Sequence, residues 1–280
     1  MVNQKGGVGK TTVTLNLAGA LAASGMRVFV VDLDSQANAT SGLGIWGPTA
    51  TIDDVLADPI GTPASSIVIP AEWPAEHGRP DLVPSSASLA NREPLLAADP
   101  IGAQDRLGTG LSGLTHDVVL VDCPPSLGLL TVNALFAADQ ALIVTEPAAW
   151  AADGVDMILA TLQRVEARRL RPMRPARLVI NRLGRTRDAR YWHDQLIERH
   201  RQRVLPAVQM RTAVSEAAAQ SLPVAALTRT GAAEAALEFR AIAAQLASEI
   251  ASDLGDRVGA LHEPAPHTTQ YVEAIPVQSW

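Results

Sequence analysis

Lysine is almost missing from this chain. Only Lys5 and Lys10 occur, and every other strong cation is arginine, which marks these two positions as ones arginine does not fill. A single cysteine, Cys123, excludes a disulfide framework or a cysteine-based zinc site and fits a reducing compartment. Aromatic residues make up 4% of the chain, so packing has to rely on small and branched aliphatic side chains. No run of 18 or more apolar residues occurs, so no membrane span is expected, and Met1 leads straight into a glycine-rich stretch with no signal peptide. What remains is ordinary for a soluble α/β chain: 280 residues, 47% hydrophobic and 19% charged, long enough for a sizeable core.

Both lysines lie in one stretch, Lys5-Gly6-Gly7-Val8-Gly9-Lys10-Thr11-Thr12. Glycines let consecutive backbone N–H groups turn inward around phosphate oxygens, and a following helix adds the positive end of its dipole. Lys10 is placed to reach β- and γ-phosphates, and the Thr11 hydroxyl to ligate Mg²⁺. The simple phosphate-loop pattern G-x-x-x-x-G-K-[ST] fails at Gln4, and an extra lysine stands at Lys5. A glycine-rich turn before an amphipathic helix is the bland alternative; three glycines and two lysines at these spacings weigh against it.

The stretch resembles the deviant Walker A loop of the ParA/MinD family of ATPases. In that family the extra lysine, here Lys5, crosses a dimer interface and touches the nucleotide of the other subunit. The resemblance therefore implies ATP and Mg²⁺ as cofactors, with Gly6, Gly7, Val8, Gly9, Lys10, Thr11 and Thr12 as nucleotide contacts. It also implies an ATP-dependent homodimer. A cation facing polyphosphate contributes roughly 4 kcal/mol per charge pair at 4 Å and an effective dielectric of 20, enough to make nucleotide the glue of a dimer.

Arg27 to Asp32 is a continuous apolar run ending in an acid, as expected of a buried parallel strand whose end reaches the ligand edge. The following Asp32-Leu33-Asp34-Ser35-Gln36-Ala37-Asn38-Ala39-Thr40 looks like the family's second motif, with Ser35 in place of proline. Asp34 matches the position that orients or activates the attacking water. Asp32 reads equally as a strand-end cap or a catalytic group. Val118 to Asp122 is a second buried strand, and its Asp122 is expected at the same edge, holding a Mg²⁺-bound water opposite Thr11. Residues 45–115 yield short elements and no chemistry: a helix at 51–57 and strands at 66–69 and 81–83.

Further βα units follow. A helix is expected at 129–137, a strand at 140–145, a long amphipathic helix at 151–168 and a strand at 177–180. Asn181, at that strand's end, matches the family's adenine-reading asparagine or is a turn former; Pro206, closing a short strand at 204–206, is a further nucleotide-contact candidate. Helices are expected at 187–201, 211–220 and 232–254. Only Met1 to Gln4 precede the loop, too few for the usual strand, so either the first strand is a stub or the true start lies upstream, the preferred reading.

The expected fold is a P-loop NTPase: α/β, a mostly parallel twisted sheet flanked by helices, in a single domain over 1–255. Residues 256–280 read as a disordered tail. Net charge is −6, yet residues 164–211 hold fourteen arginines against four acids, a local +10 that leaves −16 elsewhere. Such asymmetry is the footprint of a polyanion-binding face. The resemblance implies nonspecific DNA binding by arginines of this window, with Arg187, Arg190 and Arg211 as candidates. It further implies a ParB-type stimulating partner and a cytoplasmic, nucleoid-associated protein. A MinD-like membrane switch is disfavoured because no lysine or arginine follows Arg257. A relative that positions some other cargo shares every motif and stays open.

Overall fold

A computed structural model of the chain describes residues 1–99 and 101–262. Six strands are described: β1 (Val28–Asp32), β2 (Ile69–Pro70), β3 (Asp81–Val83), β4 (Val118–Asp122), β5 (Gln140–Thr145) and β6 (Arg174–Ile180). Helices α1 (Lys10–Ala23), α2 (Asn38–Gly42), α3 (Ile52–Ala57), α4 (Arg92–Ala97) and α5 (Arg106–Gly110) occupy the first half. The second half holds α6 (Leu129–Ala137), α7 (Ala151–Glu166), α8 (Arg187–His200), α9 (Thr212–Ala219) and α10 (Ala232–His262). Two compact units divide the chain, Met1–Ala244 and Gln245–Trp280, and every described strand lies in the first.

One sheet has the order β2-β3-β1-β4, parallel except for β2, and β5 pairs with β6 in a second, parallel ladder. The first two residues stitch the two together. Val2 exchanges backbone hydrogen bonds with β5 through Leu142 and Val144, while the Met1 ammonium donates to the Val121 carbonyl of β4. The strand expected before the loop is thus a one-residue bridge in this chain. The expected strand at 204–206 is likewise reduced to one bridge, Val204 beside Leu178.

Strands buried on both faces read as unbroken apolar runs, and all five residues of β1 are buried. Phe29 and Val31 join one core cluster with Ile52, Leu107, Leu135 and Ile158 from α3, α5, α6 and α7. The intervening Val28 and Val30 are equally buried but face the other way, so the sheet is covered by helices on both sides. Local signals set the helix starts. Thr51 and Asp54 form a reciprocal capping box at α3, and the Thr186 hydroxyl accepts from Ala189 N–H at α8. Helix α10 continues past Gly255 to His262, beyond the expected domain end; residues 263–280 of the expected tail lie outside the described residues.

Candidate functional site

In open α/β sheets, ligands sit at the carboxyl ends of parallel strands. Residues 3–9 lie along that edge. Buried Asn3 donates its amide to Val144 at 2.6 Å and accepts the Lys5 N–H at 2.9 Å, pinning the loop's start to β5. Gly7 (φ 81°) and Gly9 (φ 88°) are left-handed, the backbone that forms an anion-binding nest. At Gly9 a side chain also has no room, since a Cβ would stand 2.3 Å from Asn181 Nδ2. Gly9 caps α1, so the positive end of that helix backs the loop.

Lys10 opens α1 and is 7% exposed. Burial pushes its ammonium below the usual lysine value, and the nearby Asp122, Cys123 and Asp34 pull it back up. One turn of α1 meets the end of β4. Thr11 Oγ1 donates to Asp122 Oδ2 at 2.6 Å, and Thr14 Oγ1 donates to Asp122 Oδ1 at 3.1 Å. Asp122 is 1% exposed; burial pushes its carboxyl up, against the Thr11 bond above all. Oxygen donors around a buried carboxylate, whose charge a cation would favour, fit a hard dication such as Mg²⁺.

Asp32 is the register partner of Asp122 on the adjacent strand and is fully buried. Burial first, and then Asp122, push its carboxyl up to about 7, although Thr40 N–H and Oγ1 each donate to it at 2.7 Å and Asp34 N–H at 3.2 Å. Because the folded value lies above the unfolded one, this group's contribution to stability falls as pH rises from about 4 through about 7. Thermal melts of the nucleotide-free protein near pH 5.5 and pH 8 check this: Asp32→Asn narrows the wild-type difference between the two melts, and an unchanged difference contradicts it. The same three bonds arch the following loop over β1, where half-buried Asp34 accepts the Gln36 N–H at 3.0 Å.

Lys5 is 58% exposed at its side chain and pairs with Glu146. Asn181 is 2% exposed beneath the loop, its amide donating to the Val8 carbonyl at 2.9 Å. It braces the phosphate loop rather than presenting a free edge. Pro206 is exposed beside the end of β6, where Leu205 N–H bonds Leu178 O. Gly6 is exposed and Val8 fully buried, and Thr12 lies in the first turn of α1 with its carbonyl accepting Asn16 Nδ2.

The arginine window divides by role. Arg169 and Arg203 donate to backbone carbonyls, and Arg199 pairs with Asp153 and Asp156. Arg211 is held by Glu238 at 2.6 Å and is 22% exposed at its side chain, a poor surface contact. Arg187 and Arg190, one turn apart on α8, are exposed and have no ion-pair partner among the described residues, as do Arg171, Arg185 and Arg201.

A family model described as an AAA domain matches residues 1–173. A Soj of Thermus thermophilus, named a chromosome-partitioning ATPase, is 40% identical over 168 residues, covering 60% of this chain and 61% of the relative. A chromosome partitioning protein ParA of Myxococcus xanthus is 39% identical over 171 residues, 59% of this chain and 57% of that one. The chain belongs to the ParA family. An uncharacterized Mycobacterium tuberculosis protein extends the likeness to 255 residues at 34% identity, covering 88% of this chain and 77% of its own. The chain spans about six-tenths of the length of the Soj and ParA relatives it matches.

Among solved structures, a Cyanothece McdA variant in complex with ATP superposes with a TM-score of 0.75 at 23% identity, over 88% of this chain and 94% of that one. That agreement is one of fold. A Mycobacterium smegmatis cobyrinic acid a,c-diamide synthase with a bound ATP analogue and magnesium gives 0.68 at 27% identity, over 88% and 91%. The ParA-family fold thus joins a left-handed glycine loop, the half-buried Asp34 and the hydrogen-bonded Thr11–Asp122 pair at one edge. Two members of the site carried no sequence signal: Glu146, the partner of Lys5, and Arg182, whose guanidinium donates to the Gly7 carbonyl at 2.5 Å. Their loop contacts span 141 and 175 residues of chain, beyond any local pattern.

Proposed function

We propose that this chain is an ATP-dependent DNA partition ATPase that dimerises on ATP, binds nonspecific DNA and is released when a ParB-type partner stimulates hydrolysis. The observation that carries the reading is the Thr11–Asp122 bond at the mouth of the left-handed glycine loop, with Lys10 buried beside it and Lys5 exposed above. In it, Gly6 to Thr12 hold the phosphates by backbone N–H groups, Lys10 neutralises developing charge, and Thr11 with Asp122 holds Mg²⁺. When bound, Mg²⁺ supplies charge neutralisation at the transferring phosphoryl group. Asp34 orients the attacking water. Lys5 reaches the nucleotide of the second subunit, Pro206 borders the base, and Asn181 braces the loop from below.

Arg187 and Arg190 are the DNA contacts the surface favours, with Arg211 set aside by its pairing to Glu238. The test is a titration of nonspecific duplex with ATP, ADP or no nucleotide at two salt concentrations. Binding with ATP alone is expected, lost in Lys10→Ala. The double variant Arg187→Ala/Arg190→Ala weakens all sequences alike and flattens the log–log salt slope by about one unit per arginine. ATP-dependent dimers that bind no DNA would instead favour an ATPase that positions another cargo.

A further inference from the structure

Directly after β6, two consecutive residues reach the phosphate loop. Asn181 donates to the Val8 carbonyl at 2.9 Å and Arg182 donates to the Gly7 carbonyl at 2.5 Å. A nest turns its N–H groups toward the anion, which leaves its carbonyls on the outer side needing donors of their own. The two side chains supply those donors to neighbouring peptides. Arg182 does so at a backbone cost. Its φ of 54° lies in the left-handed region, where a residue with a Cβ is strained by about 1 kcal/mol. The flanking backbone leaves it no alternative: Asn181 N–H bonds Thr145 O at 2.7 Å, and Leu183 N–H bonds Val208 O at 2.9 Å. Glycine or asparagine would relieve that strain, yet arginine occupies the position, and its guanidinium is on the loop.

We propose that Arg182 is a positioning residue for nucleotide: its guanidinium holds the Gly7 peptide with the carbonyl outward, so that the loop's N–H groups stand ready for phosphate. The proposal rests on the nucleotide reading of the site. The mechanism is preorganisation, because a loop already in its binding geometry loses less entropy on binding. Lysine keeps a charge and a donor, alanine removes both, and glycine removes both while relaxing the backbone.

The experiment measures affinity for a fluorescent ATP analogue with Mg²⁺, alongside the nucleotide-free melting temperature, for wild type and for Arg182→Ala, Arg182→Gly and Arg182→Lys. Affinity is expected to fall about tenfold in the alanine and glycine variants, the size of one charge-assisted hydrogen bond, and to recover largely in the lysine variant. The glycine variant is expected to melt no lower than wild type. Affinity and stability then move independently, which a purely structural role does not produce. Wild-type affinity in all three variants overturns the proposal, and so does an affinity loss matched by a lowered melting temperature. A wild-type protein that ignores the analogue overturns the nucleotide reading and this inference with it.

Discussion

Lys10→Ala abolishes nucleotide binding, with affinity for Mg²⁺-ATP falling at least about a hundredfold and hydrolysis dropping to background. Among the described residues Lys10 is the one lysine or arginine that is buried, and it sits near Asp122 and Asp34. Its attraction to polyphosphate acts at short range and low exposure, where one charge pair is worth roughly 4 kcal/mol at an effective dielectric of 20. Losing it also leaves Asp122 buried with one fewer neighbouring positive charge, which raises the cost of keeping that carboxylate ionised for Mg²⁺. Equilibrium titration with a fluorescent nucleotide measures the effect, and circular dichroism checks that the fold survives. Affinity within a few-fold of wild type would remove Lys10 from the site.

Lys5→Ala has an equally large effect of a different kind. Nucleotide binding to the monomer stays within about threefold, while ATP-dependent dimerisation and hydrolysis are lost. The reason lies in where Lys5 stands. Its partner Glu146 is 27% exposed and Lys5 itself 58%, and such an ion pair contributes about 0–1 kcal/mol. Lys5 is therefore weakly held, and exchanging Glu146 for a phosphate of a second subunit is favourable by magnitude alone. The nucleotide-free melting temperature should scarcely move in this variant. Sedimentation with ATP, and phosphate release over time, separate it from Lys10→Ala. A Lys5→Ala protein that still dimerises and hydrolyses ATP would contradict the trans role.

The loop that carries these two lysines was legible in the sequence because a phosphate loop is a local object. Its glycines, lysines and threonines are consecutive, and the geometry they need is set within a few bonds. Asp122 was legible for a related reason: a five-residue apolar strand ending in an acid can deliver that acid only to the sheet edge. Lys10–Ala23, Val28–Asp32 and Ile52–Ala57 follow from the same local logic of periodicity and caps. Contacts made by folding were not legible. Asn181 matched a residue expected to face adenine, but packing places it under Gly9 with its amide on Val8. Arg211 belonged to a basic window, and only the approach of α10 supplies Glu238 to neutralise it. Before the loop, Val2 alone makes ladder bonds to β5. Composition could not divide the fourteen arginines into those that brace carbonyls and those left on the surface.

In the proposed cycle, nucleotide is the bridge between two copies of this chain. The most direct test of that bridge is the solution molar mass of the Asp34→Ala variant, expected to lose hydrolysis, by light scattering, with Mg²⁺-ATP, with Mg²⁺-ADP and without nucleotide. A doubled mass is expected with ATP alone, returning to monomer when Lys5→Ala is added. A mass that stays monomeric while ATP is bound, or that is dimeric in all three conditions, would contradict it.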